Sequence, residues 1–89
     1  MADLKAKFVK ASEDVQKLPK KPDTDVLLKL YALFKQGSEG DTTGERPGIM
    51  NISNRFKYDA WMELKGKSKD DAMKEYIAFV ESLKAKAKG

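Results

Sequence analysis

Two residue types that carry much of protein chemistry are missing from this chain of 89 residues, which has neither cysteine nor histidine. Without cysteine there is no disulfide and no thiolate metal site. Without histidine the chain lacks the usual general base, the commonest metal ligand and the usual pH switch near neutrality. The composition therefore argues against a zinc enzyme and against a hydrolase that pairs serine or cysteine with histidine.

The chain also lacks long hydrophobic runs. It has no stretch of about 18 consecutive apolar residues, so the sequence predicts no membrane span. Its first ten residues, MADLKAKFVK, carry charge throughout and have no apolar block of the kind found in a secretory signal. We therefore expect a cytoplasmic protein, with residues 1–89 forming one domain around a modest core.

Charged residues, in contrast, are plentiful. They make up 36% of the chain, and 18 basic against 14 acidic residues give a net charge of +4 at pH 7. This balance suits an anionic partner, but it also describes an ordinary solubilising surface. Because basic and acidic residues are interleaved and no nucleic-acid-binding motif is present, we expect no nucleic-acid partner.

Helix-period patterns dominate the first part of the chain. Apolar residues that step by four, three, four and three positions predict an amphipathic helix, which Pro19 ends. This stripe consists of Leu4, Phe8, Ala11, Val15 and Leu18. A second helix is predicted from Asp23 or Thr24 to about Gln36, with Gly37 as its stop.

Two further helices follow a long loop. The stretch GSEGDTTGERPGIMN is rich in turn-forming residues and predicts a loop, and long ordered loops in small domains are often functional. A third helix is predicted from Ser53 or Asn54 to Lys65, with Gly66 as its terminator. A fourth begins after a capping Ser68. No segment has the β-strand period, so the predicted class is all-α with four helices.

The second helix carries more apolar surface than one packing partner requires. At 100° per residue its core-facing arc consists of Val26, Leu30, Leu33 and Phe34. An adjoining arc consists of Leu27, Leu28, Tyr31 and Lys35. The residues expected to face solvent are Lys29, Ala32 and Gln36. Either the helix packs centrally and Tyr31 is a rim tyrosine, or the second arc receives a ligand with an apolar tail and an anionic head.

Two other aromatic positions have the same ambiguity. In NRFKYDAW, Lys57 and Trp61 lie one helical turn apart, which describes either a solvated basic edge with a core tryptophan or part of a ligand site. Tyr76 neighbours the core stripe of the fourth helix, which contains Met73 and Ile77, without being central to it. The residues alone leave both alternatives open.

The stretch LYALFKQGSEGDTTGERPG followed by KYDAWMELKGKSKDDAMKEYI resembles the acyl-CoA-binding protein family, which includes the diazepam-binding inhibitors. The resemblance runs from about Phe8 to about Leu83. It implies a bundle of four helices with up-down-down-up topology, in which residues 37–52 form a long overhand connection between the second and third helices. It also implies a monomer without cofactor, metal or enzymatic activity.

The function implied by the resemblance is binding of medium- and long-chain acyl-CoA. Such a protein shields the acyl chain from water, forms an intracellular pool and carries the ester between enzymes and membranes. The alternative is a helical protein–protein interaction module, or a precursor of signalling peptides. The alternative differs in its ligand, because its apolar face would hold a partner helix.

The resemblance implies ligand contacts for nine residues. Contacts to the ribose 3′-phosphate and adenine are implied for Tyr31, Lys35 and Lys57. The nucleotide site would also include Tyr76, and Lys21 would lie near the phosphates or the thioester. The acyl chain would contact Leu27 and Leu28, and the first helix would line the pocket with Ala11 and Ser12.

Four positions depart from the family pattern. Tyr58 stands in place of the usual tryptophan, Phe56 in place of a small residue, Asn51 in place of aspartate and Gln16 in place of a common lysine. The principal nucleotide contacts are all present. These departures therefore concern the preferred acyl length and not the class of ligand.

Overall fold

The computed structural model describes residues 2–88 and forms four α-helices over that range. They are α1 (Ala2–Val15), α2 (Thr24–Glu39), α3 (Ile52–Met62) and α4 (Lys69–Lys88). The predicted all-α class is confirmed, since residues 2–88 contain no strand. None of these helices combines the length and the hydropathy that crossing a bilayer requires.

Helix α4 packs against both α1 and α2. It runs parallel to α1, because the Phe8 ring lies 5.2 Å from the Tyr76 ring, and the Asp14 carboxylate lies 3.1 Å from the Lys84 ammonium further along both helices. It runs antiparallel to α2, because the α2 residue Phe34 meets Tyr76 while earlier residues of α2 meet later residues of α4.

Helix α3 packs against α2 and runs parallel to it. Lys57 lies over the Tyr31 ring, and one turn later Trp61 lies against Lys35. Two parallel neighbours need a connection that returns along their whole length, which explains why residues 40–51 form a long segment. The expected up-down-down-up topology with an overhand connection is therefore confirmed, with the connection shorter at both ends than residues 37–52.

Gly37 does not end the second helix as the sequence predicted. It lies inside α2, where a Cβ atom would come within 3.0 Å of the Phe8 ring and 3.1 Å of Met73 Cγ. The missing side chain lets α1 and α4 approach α2 closely. The helix ends at Glu39, and Gly40 caps it with a φ of 84° and a backbone N–H that donates to the Gln36 carbonyl.

Ala32 and Gln36 do not face solvent, contrary to the prediction. They are 3% and 0% exposed because α3 covers that side of α2. The Gln36 amide donates hydrogen bonds of 2.8 Å to the Asp41 carboxylate and to the Lys67 carbonyl. Its oxygen accepts one of 3.0 Å from the Trp61 indole. This Gln36 cluster (Gln36, Asp41, Trp61 and the Lys67 carbonyl) fastens the connection and α3 to α2.

The last two helices begin close to the predicted residues. Helix α3 begins at Ile52 and stops at Met62, three residues before Lys65, and a turn then leads to Gly66 with a φ of 94°. The Asp71 backbone N–H donates to the Ser68 hydroxyl at 3.1 Å, so the predicted serine cap of α4 is confirmed.

Candidate functional site

The principal cavity, of about 590 Å³, lies between α1, the α1–α2 connector and α2. Its apolar lining consists of Val15, Leu18, Pro22, Leu27, Leu30 and Phe34. Its polar lining consists of Ser12, Gln16, Lys20, Lys21, Tyr31 and Tyr76. A volume of this size is typical of sites for organic ligands, and the lining offers apolar walls together with cations.

A second cavity, of about 200 Å³, lies between the beginnings of α2 and α3. It is lined by Thr24, Leu27, Leu28, Tyr31, Ser53, Phe56 and Lys57. Leu27 and Tyr31 belong to both linings, so these two residues form a ridge between the cavities. A ligand that lies across this ridge therefore meets apolar walls on both sides, with Lys20 and Lys21 in the principal cavity and Lys57 in the second.

The second arc of α2 thus has two uses, which the helix pattern alone left as alternatives. Part of the arc packs against α3, where Lys35 lies beside Trp61. Leu27 and Tyr31 are left facing the cavities, and Leu27 is 36% exposed. The helix is therefore central in the fold and still presents a free apolar strip.

The two predicted phosphate-binding lysines lie in different surroundings. The Lys57 ammonium is 5.5 Å from the Tyr31 ring centroid, a cation–π geometry on the wall of the second cavity. The Lys35 ammonium donates to the Glu39 carboxylate and lies 5.3 Å from the Trp61 ring, outside both cavity linings. The hydrogen bond to Glu39 raises the pKa of Lys35 above its usual value.

Tyr76 belongs to the core and to the cavity wall at once. It is 3% exposed, its ring meets Phe8 edge-on at 5.2 Å and lies 5.9 Å from Phe34, and burial raises the pKa of its phenol. The sequence interpretation that Tyr76 is not central to the core was wrong. Phe8 and Phe34 stack at 5.2 Å, so an aromatic trio supports the floor of the principal cavity.

The structure brings seven of the nine predicted site residues to the two cavities. The principal cavity gathers Ser12, Lys21, Leu27, Tyr31 and Tyr76, and the second cavity adds Leu28 and Lys57. Lys35 lies beside Glu39 as described, and Ala11 is buried in the core at 4% exposure rather than on a cavity wall. Ser12 lines the cavity while its hydroxyl donates to the Val9 carbonyl at 2.6 Å.

Several lining residues were missed by the sequence interpretation. Phe34 was assigned to the core arc, yet it is 37% exposed and forms part of the principal cavity. Val15, Leu18 and Lys20 follow the first helix stripe into the connector. For Val15 and Leu18 the signal was present, because this stripe runs past the end of α1 into a proline-rich segment that has no helix of its own to pack.

The geometry is that of a small helical protein whose cavities combine apolar walls with lysines, a lining that suits an amphiphile with an anionic head. Residues 5–80 match the family model described as "Acyl CoA binding protein". The chain is 54% identical over 79 residues to the acyl-CoA-binding protein of Saccharomyces cerevisiae, covering 89% of this chain and 91% of that protein. With the same coverage, it is 53% identical to acyl-CoA-binding protein 2 of Saccharomyces pastorianus.

A solved structure supports the same assignment. The crystal structure of Oryza sativa acyl-CoA-binding protein 2 superposes with a TM-score of 0.93 at 39% sequence identity, over 99% of this chain and 96% of that one. The chain belongs to the acyl-CoA-binding protein family.

Proposed function

We propose that this protein binds medium- and long-chain acyl-CoA esters and acts as an intracellular carrier and pool former. The observation that carries the proposal is the continuous strip of Leu27 and Tyr31, which joins a 590 Å³ cavity with apolar walls and two lysines to a second cavity that Lys57 lines. The names of the relatives at 53–54% identity support the same ligand.

The apolar walls account for affinity for the acyl chain. Each methylene removed from water contributes about 0.8 kcal/mol, so a long chain covered by the principal cavity gains several kcal/mol. The lining contains the side chains that such a chain needs, among them Leu18, Leu27 and Phe34. Leu28 extends this wall toward α3.

The cations account for the head group. We assign the ribose 3′-phosphate and adenine to Tyr31, Lys57 and Lys35, with Lys35 exchanging Glu39 for the ligand. Lys21 is assigned to the phosphates or the thioester end, and Tyr76 to the wall of the nucleotide site. Charge-assisted hydrogen bonds from lysine to phosphate are about twice as strong as neutral ones, so they fix the ligand's orientation.

The proposed role is that of a carrier and not of an enzyme. Its location is the cytoplasm, it works as a monomer, and residues 1–89 act as a single acyl-CoA-binding domain. Binding requires no cofactor, because burial and ion pairing supply the affinity.

We further propose that the carrier meets membranes or acyl-CoA-using enzymes through an apolar tip, formed by Ile49, Met50, Ile52 and Phe56. These side chains are between 55% and 95% exposed. Arg55 and Lys57 are the charged residues of the segment from Pro47 to Tyr58. An exposed apolar cluster with basic neighbours favours anionic lipid surfaces, and Phe56 also lines the second cavity.

Calorimetry with three ligands tests the proposed function. Long-chain acyl-CoA should bind much more tightly than free coenzyme A or free fatty acid, because head and tail sites joined in one ligand act at high effective concentration. Native mass spectrometry of protein purified from cells should show the mass of a bound acyl-CoA. Equal affinity for the thioester and the free fatty acid would contradict the proposal.

A further inference from the structure

The two lysines proposed to meet the ligand's phosphate are not equally available. Lys57 lines the second cavity, and its ammonium lies over the Tyr31 ring. The Lys35 ammonium donates to the Glu39 carboxylate, which lies one turn further along α2. The Lys35 side chain is only 27% exposed. One of the two cations is therefore already held by a carboxylate of the protein.

The helix dipole does not favour Glu39. It is the last residue of α2, where a negative charge interacts unfavourably with the helix dipole, and the last turn of α2 has no basic residue to offset it. The contact that its carboxylate makes among residues 2–88 is the ion pair with Lys35. The Glu39 carboxylate therefore acts on Lys35, a residue of the proposed head-group site.

We propose that Glu39 competes with the ligand's phosphate for Lys35, and thereby sets how tightly the protein holds the anionic head of acyl-CoA. This inference rests on the proposed function. A phosphate that binds Lys35 must compete with the Glu39 carboxylate for the donors of the ammonium and must lie near a like charge. Both effects weaken binding, and both disappear when residue 39 is neutral.

The gain in affinity expected on neutralising Glu39 is modest and depends on the 3′-phosphate of the ligand. The Glu39 side chain is 54% exposed, so solvent screens the pair and the effect is modest. We expect Glu39→Gln to bind long-chain acyl-CoA about two- to fivefold more tightly. The gain should be absent with the 3′-dephospho form of the same ester. In that way Glu39 lowers the preference of the site for the 3′-phosphorylated head.

Calorimetric titration of wild type and three variants tests the inference. Wild type, Glu39→Gln, Lys35→Met and the double variant are each titrated with long-chain acyl-CoA and with its 3′-dephospho form. We expect no effect of Glu39→Gln in the Lys35→Met background, because the competitor then has nothing to compete for. Glu45→Gln makes the same change of net charge at an exposed residue of the connection and should leave the affinity unchanged.

The outcomes separate the inference from the proposed function. If wild type binds acyl-CoA and Glu39→Gln binds it equally or more weakly, the competition is wrong and the proposed function stands. A gain that persists in the Lys35→Met background or with the dephospho ester assigns the effect to overall charge and overturns the inference. If wild type does not bind acyl-CoA, both fail. The melting temperature of Glu39→Gln should change little, because the lost ion pair is solvent-exposed and the substitution also removes a charge that opposes the helix dipole.

Discussion

Polar side chains on the two sides of α2 lie in opposite environments, buried on one side and open to cavities on the other. Gln36 is fully buried, and both ends of its amide are hydrogen-bonded. Tyr31 lies about 140° away around the helix, is partly exposed and faces the two cavities. On the first side the polar atoms are hydrogen-bonded within the protein, and on the second Tyr31 lines open cavities. One helix therefore buries a polar network on one side and forms cavity walls on the other.

The largest expected effect comes from the buried side. Gln36→Ala removes three hydrogen bonds and leaves a cavity, so we expect the free energy of unfolding to fall by about 2–4 kcal/mol. Urea unfolding measures this. Gln16→Ala is the matched control, because Gln16 is exposed on the principal cavity wall. Equal losses in the two variants would mean that the Gln36 cluster is not what fastens α3 to α2.

The cations of the binding side should give the next largest effect. Lys57→Ala removes a charged partner of the phosphate and should cost about 1.5–3 kcal/mol of acyl-CoA binding, with the fold intact. Lys35→Ala should also weaken binding, but by less, because Glu39 already occupies that ammonium. Lys29→Ala, beside the Phe79 ring on α4, serves as a charge-matched control. If a lysine variant melts at a markedly lower temperature and binds acyl-CoA with unchanged affinity, that lysine serves stability and not binding.

Tyr31→Phe tests the role of the Tyr31 hydroxyl, because it removes that group alone. The ring, the helix propensity and most of the volume stay, so the unliganded protein should melt at nearly the same temperature. The affinity for acyl-CoA should fall several-fold, since an ordinary hydrogen bond contributes about 0.5–1.5 kcal/mol and one to a charged group up to about 3. The rise in melting temperature on adding ligand should shrink with it. Identical dissociation constants would return Tyr31 to the role of a rim tyrosine.

The smallest expected effect is the pH dependence of the Gln36 cluster. Hydrogen bonds from the Gly66 backbone N–H and from Gln36 lower the pKa of Asp41 below 3.8. A lowered folded-state pKa means that the stabilisation is complete at neutral pH and is lost as the pH falls through that pKa. Asp41→Asn should therefore make stability fall less steeply between neutral pH and strong acid. Thermal melts across that pH range measure this effect. Parallel plots of melting temperature against pH for wild type and Asp41→Asn would show that Asp41 contributes nothing.

Most of the fold was accessible from the sequence, and the errors have identifiable causes. The stripe from Leu4 to Leu18 and the cap at Ser68 report local geometry, and local geometry is what periodicity and capping rules describe. Gly37 was misread because glycine serves both as a helix stop and as a site of close approach. The short distance to Phe8 that decides between the two uses arises only when α1 lies across α2.

Part of the candidate site could also be predicted from the sequence, because it depends on local helix geometry. Counting apolar positions on α2 showed that the helix has a second apolar arc but left open whether that arc is packed or free, and the lysines came from the resemblance to the family. The pairing of Lys35 with Glu39 was also readable in principle, because the two residues are four positions apart on one helix. The cavity roles of Phe34 and Lys20 were not, because they depend on how the connector folds over α2.

Local sequence patterns were enough to predict that four helices form and where most of their apolar stripes lie, because these properties depend on neighbours within a turn or two of the chain. The tertiary structure decided which polar residue is buried and which apolar strip stays open. Ala32 and Gln36 are covered because α3 runs parallel to α2 on that side, while Leu27 and Tyr31 stay open because the described residues of α1 and α3 leave a gap between them. Burial depends on partners distant in the sequence, and only the packed bundle brings those partners together.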